Sequence, residues 1–379
     1  MHPKIINALK EHAHEKDYLP TLGLLKLRES IACYYKKRFN YNFSPDHILI
    51  GPGSKELIFQ CLFVLEGPVI IPAPSWVSYG PQVNVRGKHI IRAMTRRENN
   101  YKLTGAELKQ VCSTLPEEEQ KVLIINSPNN PTGQVYSDTE MADLVKVCRQ
   151  EQVIIISDEI YAMIDFTGRN KSGFLNHYPE GTIVTAGLSK SHSAGGYRLG
   201  FIAAPPNMTS VIQGLSALVS ETFSAVSAPI QYAAVQAYSG DSEIEEYLEN
   251  CCKIHKCVGN YIAEELNSMA VDCPDPEGAF YVFPDFSKYK EELKERYSVS
   301  TGKDLAESLL VNSSVALLPG SDFYMSPSSL TTRMATVDYD GAEVYQAANE
   351  MEFQLNKDFL KKNTPLIVEG LNAIKDYLI

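Results

Sequence analysis

The 379-residue chain is long enough for two domains, and its 44% hydrophobic and 21% charged residues are those of an ordinary globular protein. Its net charge of −11 argues against nucleic acid or an anionic membrane as the main partner, so an anionic ligand must be held by local arginines and helix ends. The eight cysteines form no CxxC pair and no zinc-like cluster, and His12 and His14 would diverge on a helix. No metal is therefore expected, and the thiols read as free in a reducing cytosol. With no charged-then-apolar leader and no apolar run of membrane-spanning length, a cytoplasmic protein is expected.

The apolar runs His47–Ile50, Val69–Ile71, Val122–Ile125, Val153–Ile156 and Thr182–Ala186 are short and end in polar or glycine punctuation. Most are rich in Val and Ile, the pattern of strands buried on both faces. Helical patterns at Lys55–Leu65, Thr104–Cys112 and Asp138–Gln150 lie between them, which predicts a parallel sheet covered on both sides. In such sheets ligands sit beyond the carboxyl ends of the strands. From about residue 245 the texture changes. Glu243–Asn267 reads as one long amphipathic helix able to bridge two domains. A hairpin-like Gly278–Pro284 and strands near Ser314–Leu318 and Thr331–Val337 then suggest a smaller α+β domain.

Polar motifs follow the strand runs. Gly51-Pro52-Gly53-Ser54-Lys55 opens an apolar helix, whose free N–H groups favour a phosphate. Trp76, the only tryptophan, lies in Pro72-Ala73-Pro74-Ser75-Trp76-Val77-Ser78-Tyr79 and suits either a core or a flat ligand. In Asn126-Ser127-Pro128-Asn129-Asn130-Pro131-Thr132-Gly133, two prolines and a glycine fix a loop that is either a plain turn or a mount for an asparagine facing a cleft. Asp158, in Ser157-Asp158-Glu159-Ile160-Tyr161, caps a helix as readily as it holds a cationic ring nitrogen. Gly187-Leu188-Ser189-Lys190-Ser191-His192-Ser193-Ala194-Gly195-Gly196-Tyr197-Arg198 sets one lysine among small residues, with an arginine eight positions on. Small neighbours admit a flat ligand, and a lysine so placed can lose its proton and form a Schiff base. The fork of the arginine suits a phosphate.

These motifs, in this order from residue 18 to residue 335, resemble the class I (class I/II) aminotransferases of fold-type I, aspartate/aromatic-like enzymes that use pyridoxal 5'-phosphate (PLP). The resemblance implies a large domain with a mostly parallel seven-stranded sheet flanked by helices (18–245), and a small α+β domain made of 1–17 and 246–379. It implies that Lys190 carries the cofactor and moves the proton between substrate and cofactor. Asp158 would hold the ring nitrogen and Asn130 and Tyr161 the ring oxygen. Trp76 would stack on the ring, while Gly53, Ser54, Lys55, Ser189 and Arg198 surround the phosphate. Arg333, in Thr331-Thr332-Arg333-Met334-Ala335, would grip the substrate carboxylate beside Asn130 and Trp76. Tyr18, in Tyr18-Leu19-Pro20-Thr21-Leu22-Gly23, would reach the phosphate of the partner subunit in a homodimer.

The implied reaction moves an amino group from an L-amino acid, aspartate or aromatic, to a 2-oxo acid such as 2-oxoglutarate. A PLP lyase (a carbon–sulfur lyase or an aminocyclopropane carboxylate synthase-like enzyme) would share these residues, as would a PLP-binding protein with impaired catalysis. Two departures stand out. Gly187 occupies a place where many relatives carry a phosphate-binding serine. Residues 1–17 are also shorter than the arm that closes the pocket in relatives. The apolar pattern Phe359, Leu366, Ile367, Leu371, Ile374 and Leu378 is expected to form a helix that partly replaces that arm.

Overall fold

The computed structural model describes residues 1–168 and 173–379. Its larger sheet contains β1 (Ile48–Gly51), β2 (Val69–Ala73), β3 (Ile90–Met94), β4 (Lys121–Asn126), β5 (Val153–Asp158), β6 (Thr182–Gly187) and β7 (Gly200–Ala203), in the spatial order β1-β7-β6-β5-β4-β2-β3. All pairings from β3 through β6 are parallel, and only β7 runs against its neighbours β1 and β6. Burial on both faces explains why five of these strands read as continuous apolar runs.

The helices between strands are started by side chains the sequence supplies. Thr104 and Ser137 each cap a helix through a reciprocal bond with a glutamate three residues on. The Asp138–Gln150 helix then buries Met141, Leu144, Val145 and Cys148 against β4 and β5.

A second sheet is small and antiparallel: β8 (Tyr281–Val282), β9 (Leu318–Pro319) and β10 (Thr332–Ala335), in the order β8-β10-β9. The expected hairpin at Gly278–Pro284 does not close on itself; β8 pairs instead with β10, Val282 opposite Met334 and Tyr281 opposite Ala335. The Ser242–Ser268 helix serves two cores. Ile244 and Leu248 pack with Tyr34 and Tyr238 near the larger sheet, while Ile254, Val258, Ile262 and Leu266 pack with Leu305, Leu309 and Val282 around the smaller one.

Two expectations are corrected here. Residues 1–17 do not join the smaller core. The Pro3–Glu11 helix packs on the Ala228–Ala237 helix, Ile5 is buried with Leu27, Ile31 and Tyr34, and the Lys4 ammonium lies 2.7 Å from Asp241. The Pro365–Leu378 helix does not replace an arm over a pocket. Ile367, Leu371, Ile374 and Leu378 fill the smaller core, and Tyr377 stacks on Tyr297 with ring centres 4.3 Å apart.

Candidate active site

The carboxyl ends of β4, β5 and β6 deliver Asn126, Asp158 and the Ser189–Lys190 turn to one cavity of about 340 Å³. Ser54, Lys55, Trp76, Asn130, Tyr161 and Arg198 line it from the larger sheet, and Tyr281 and Arg333 from the smaller one. Four basic side chains (Lys55, Lys190, Arg198 and Arg333) thus face a single carboxylate, that of Asp158, among the lining residues. That local surplus contrasts with the net charge of −11 and suits a polyanionic occupant.

One wall is an anion cradle. The Ser54–Val64 helix has no side-chain cap, which leaves its first N–H groups open. Gly53 enters it at φ +96°, where a Cβ would lie 2.6 Å from Arg198 Nη2; a Cβ on Gly200 would lie 2.7 Å from the Ser54 nitrogen. Both glycines therefore let the helix start sit against β7 and the arginine. Arg198, itself left-handed at φ 49°, donates from Nη1 to the Gly195 carbonyl and from Nη2 to the Pro52 carbonyl, each at 3.0 Å.

The floor is a buried acid. Asp158 accepts from the Tyr79 hydroxyl at 2.7 Å and from the Ile160 N–H at 3.3 Å. Burial pushes its carboxyl up to about 6, opposed by these bonds and by the charge of Lys190. Asn126 fixes the ends of two strands together. Its Nδ2 donates to the Asp158 carbonyl at 2.7 Å, and its Oδ1 accepts from the Asn130 N–H at 2.8 Å.

Lys190 is half-buried, with its ammonium 5.7 Å from the Phe280 ring centre and 6.0 Å from that of Tyr161. Burial holds its pKa below the usual lysine value, helped by the charges of Arg333 and Arg198 and resisted by Asp158. Beneath it, His192 meets the Ser191 hydroxyl at 2.9 Å, and burial takes its pKa down to about 4, so it is neutral. Arg333 stands on β10 with its guanidinium carbon 4.7 Å from the Tyr281 ring centre and 5.1 Å from that of Phe323. Its Nη1 donates to Asn130 Oδ1 at 3.3 Å, and its buried Nε has no hydrogen-bond partner. Among the described residues no carboxylate pairs with it, so the fork is left for an anion from outside.

The geometry gathers the sequence-derived candidates apart from Tyr18, which is 95% exposed in the loop before the Leu25–Phe39 helix. Gly53 contributes through its backbone rather than as part of the lining. Sequence reading missed the parts played by Asn126, Tyr79, Ile160, Gly195 and Tyr281. Tyr79 and Asn126 lay inside motifs already singled out, and a polar residue at the end of an apolar strand was the available signal for Asn126.

A family model described as aminotransferase class I and II matches residues 2–347. The chain belongs to that family. It is accordingly an enzyme that transfers amino groups, and it shares with the family the α/β fold built on a seven-stranded, mostly parallel sheet. The aspartate aminotransferase of Bacillus subtilis (strain 168) is 32% identical over 325 residues, covering 84% of this chain and 79% of that protein. That of Geobacillus stearothermophilus is 34% identical over 325 residues, with the same two coverages of 84% and 79%. Among solved structures, the aromatic aminotransferase from Pyrococcus horikoshii OT3 matches with a TM-score of 0.83 at 27% identity, covering 100% of this chain and 92% of that one.

Proposed function

We propose that this aminotransferase uses pyridoxal 5'-phosphate to pass the amino group of aspartate or an aromatic amino acid to a 2-oxo acid such as 2-oxoglutarate. The observation that carries the reading is the pairing, around Lys190, of a built anion cradle at Gly53, Ser54 and Arg198 with a second arginine, Arg333, that has no acid of its own among the described residues. A phosphate fits the first and a substrate carboxylate the second. Lys55, its ammonium 5.2 Å from the Trp76 ring centre, adds a further cation. The names of the bacterial relatives support aspartate as the amino donor.

When bound, the cofactor supplies an electron sink that acidifies the hydrogen on the substrate's α-carbon. The chain's residues do the rest. Lys190, its basic form favoured by burial and by the two arginines, would take the proton from the α-carbon as general base and return it, as general acid, to the cofactor's C4′ carbon on the far side of the nitrogen. Arg333 holds the carboxylate so that this hydrogen faces the lysine. Asp158 holds the ring N–H. Because Asn130 gives its Oδ1 to Arg333, its Nδ2 is left to donate to the ring oxygen, alongside the Tyr161 hydroxyl. Trp76 would cover the ring face and Ser189 would join the phosphate contacts. With residues 1–17 moved to the larger core, a division into a large domain (to residue 245) and a small one (246–379) would put the lysine and the substrate arginine on different domains.

We also propose that the enzyme is a homodimer in the cytoplasm. A tyrosine 95% exposed at position 18 is an aromatic without a contact of its own, as expected of a residue that reaches a partner's phosphate. No helix among the described residues is long and apolar enough to cross a membrane.

Visible absorbance of the purified holoenzyme tests the reading. A band that disappears on adding one amino acid and returns with 2-oxoglutarate supports it and identifies the donor. Ammonia released without need of an oxo acid would overturn it in favour of a lyase. Lys190→Ala should lower turnover by at least about 1,000-fold while phosphate-side binding persists.

A further inference from the structure

Tyr281 lies where the two halves of the site meet. It sits on β8 and is 7% exposed. Its hydroxyl is 3.0 Å from the Tyr161 hydroxyl, a buried pair 120 residues apart in sequence. Its ring supports the guanidinium of Arg333 at 4.7 Å. The segment leading to it is pinned to the loops that follow β4 and β5 by main-chain bonds, each 2.8 Å: Gly278 N–H to the Gly133 carbonyl, Ala279 N–H to the Ile164 carbonyl, and Phe166 N–H to the Glu277 carbonyl. That seam fixes the backbone leading to Tyr281 relative to the loops beside Tyr161.

Resting on the function proposed above, we infer that Tyr281 is a positioning residue that acts on both ends of the reacting centre. The proton count gives the direction of its bond. A phenol has one proton. If Tyr161 spends its own on the cofactor's ring oxygen, the hydrogen between the two hydroxyls must come from Tyr281. Accepting that bond polarises the Tyr161 O–H and makes it the stronger donor, because hydrogen bonds in a buried chain reinforce one another. A better-bonded ring oxygen holds less tightly the proton it shares with the lysine nitrogen, so that nitrogen deprotonates at lower pH. The Tyr281 ring, meanwhile, aims Arg333 at the substrate carboxylate.

Two substitutions separate the contributions. Tyr281→Phe keeps the ring and removes the hydroxyl, whereas Tyr281→Leu removes both. The readout is the midpoint of the pH-dependent change in the visible absorbance of the holoenzyme, followed by KM and kcat. Removing the direct donor with Tyr161→Phe should raise the midpoint by about one pH unit. Tyr281→Phe should raise it by roughly a third of that, with KM for the amino acid unchanged. Tyr281→Leu should add an about tenfold rise in KM. In a Tyr161→Phe background, Tyr281→Phe should move the midpoint no further. A midpoint that shifts in Tyr161→Phe but not in Tyr281→Phe overturns the inference alone. If neither variant moves it, the role proposed for Tyr161 falls as well.

Discussion

Arg198 and Arg333 are both fork-shaped cations on one cavity, yet the fold holds them in opposite ways. Arg198 is tied down by main-chain carbonyls, on a left-handed residue, against a helix start that two glycines bring close. Arg333 rests on the faces of Tyr281 and Phe323 and keeps a buried N–H without a partner. Hydrogen bonds to carbonyls consume donors and fix direction; ring faces consume none and permit small rotations. The first mounting suits a ligand that stays and the second a ligand that comes and goes.

Substituting the exchanging site should cost the most. If Arg333 holds the substrate carboxylate as proposed, Arg333→Leu should lower kcat/KM for both amino acid and oxo acid about 1,000-fold while cofactor affinity stays near that of the parent. Steady-state kinetics alongside cofactor titration would check this, and equal losses in both would dissolve the distinction. Arg198→Gln should do the reverse, weakening cofactor retention about 100-fold with turnover little changed at saturating cofactor. Gly53→Ala should have a smaller effect on the same quantity, about tenfold, because its Cβ would meet Arg198 Nη2 at 2.6 Å and the φ of +96° is strained for alanine.

The smallest effect is one of pH. The Asp158 carboxyl, held at about 6 against an ordinary 3.8, is ionised only above that value in the cofactor-free protein, so uptake of a cofactor that needs the carboxylate should weaken as pH drops through 6. The contribution to folding has the opposite sign. Between 3.8 and about 6 the folded state binds the extra proton, so this residue's contribution to the stability of the cofactor-free protein is lost as pH rises through that window. Thermal unfolding of the cofactor-free protein from pH 4 to 7 should show a decline that Asp158→Asn makes shallower, the buried Glu159, pushed up to about 7, supplying the rest.

How much of this was legible in sequence depended on distance along the chain. The loops after β4, β5 and β6 were readable because proline, glycine and asparagine act on their own neighbours. Strands with two buried faces announced themselves, but β3 did not, since it lies at the sheet edge with Arg92 and Met94 exposed. β7 is four residues long and begins at Gly200, two positions past the arginine of the lysine motif. Residues 1–17 were set with the smaller domain although nothing in their pattern says what Ile5 packs against, and the C-terminal pattern says that Ile374 is buried, not whether its helix covers a pocket. Tyr281 lay in a stretch that the sequence marked as hairpin-like, but its bond to Tyr161 could not be read, the two being 120 residues apart.

Asn130 shows why a neutral group stands between the two halves. Its oxygen engages Arg333 at 3.3 Å without cancelling the charge. An aspartate of the same shape would be a resident counter-ion, and every incoming carboxylate would have to evict it. The amide thus works as a latch that orients the arginine yet never satisfies it, keeping the door open to the anions on which the enzyme feeds.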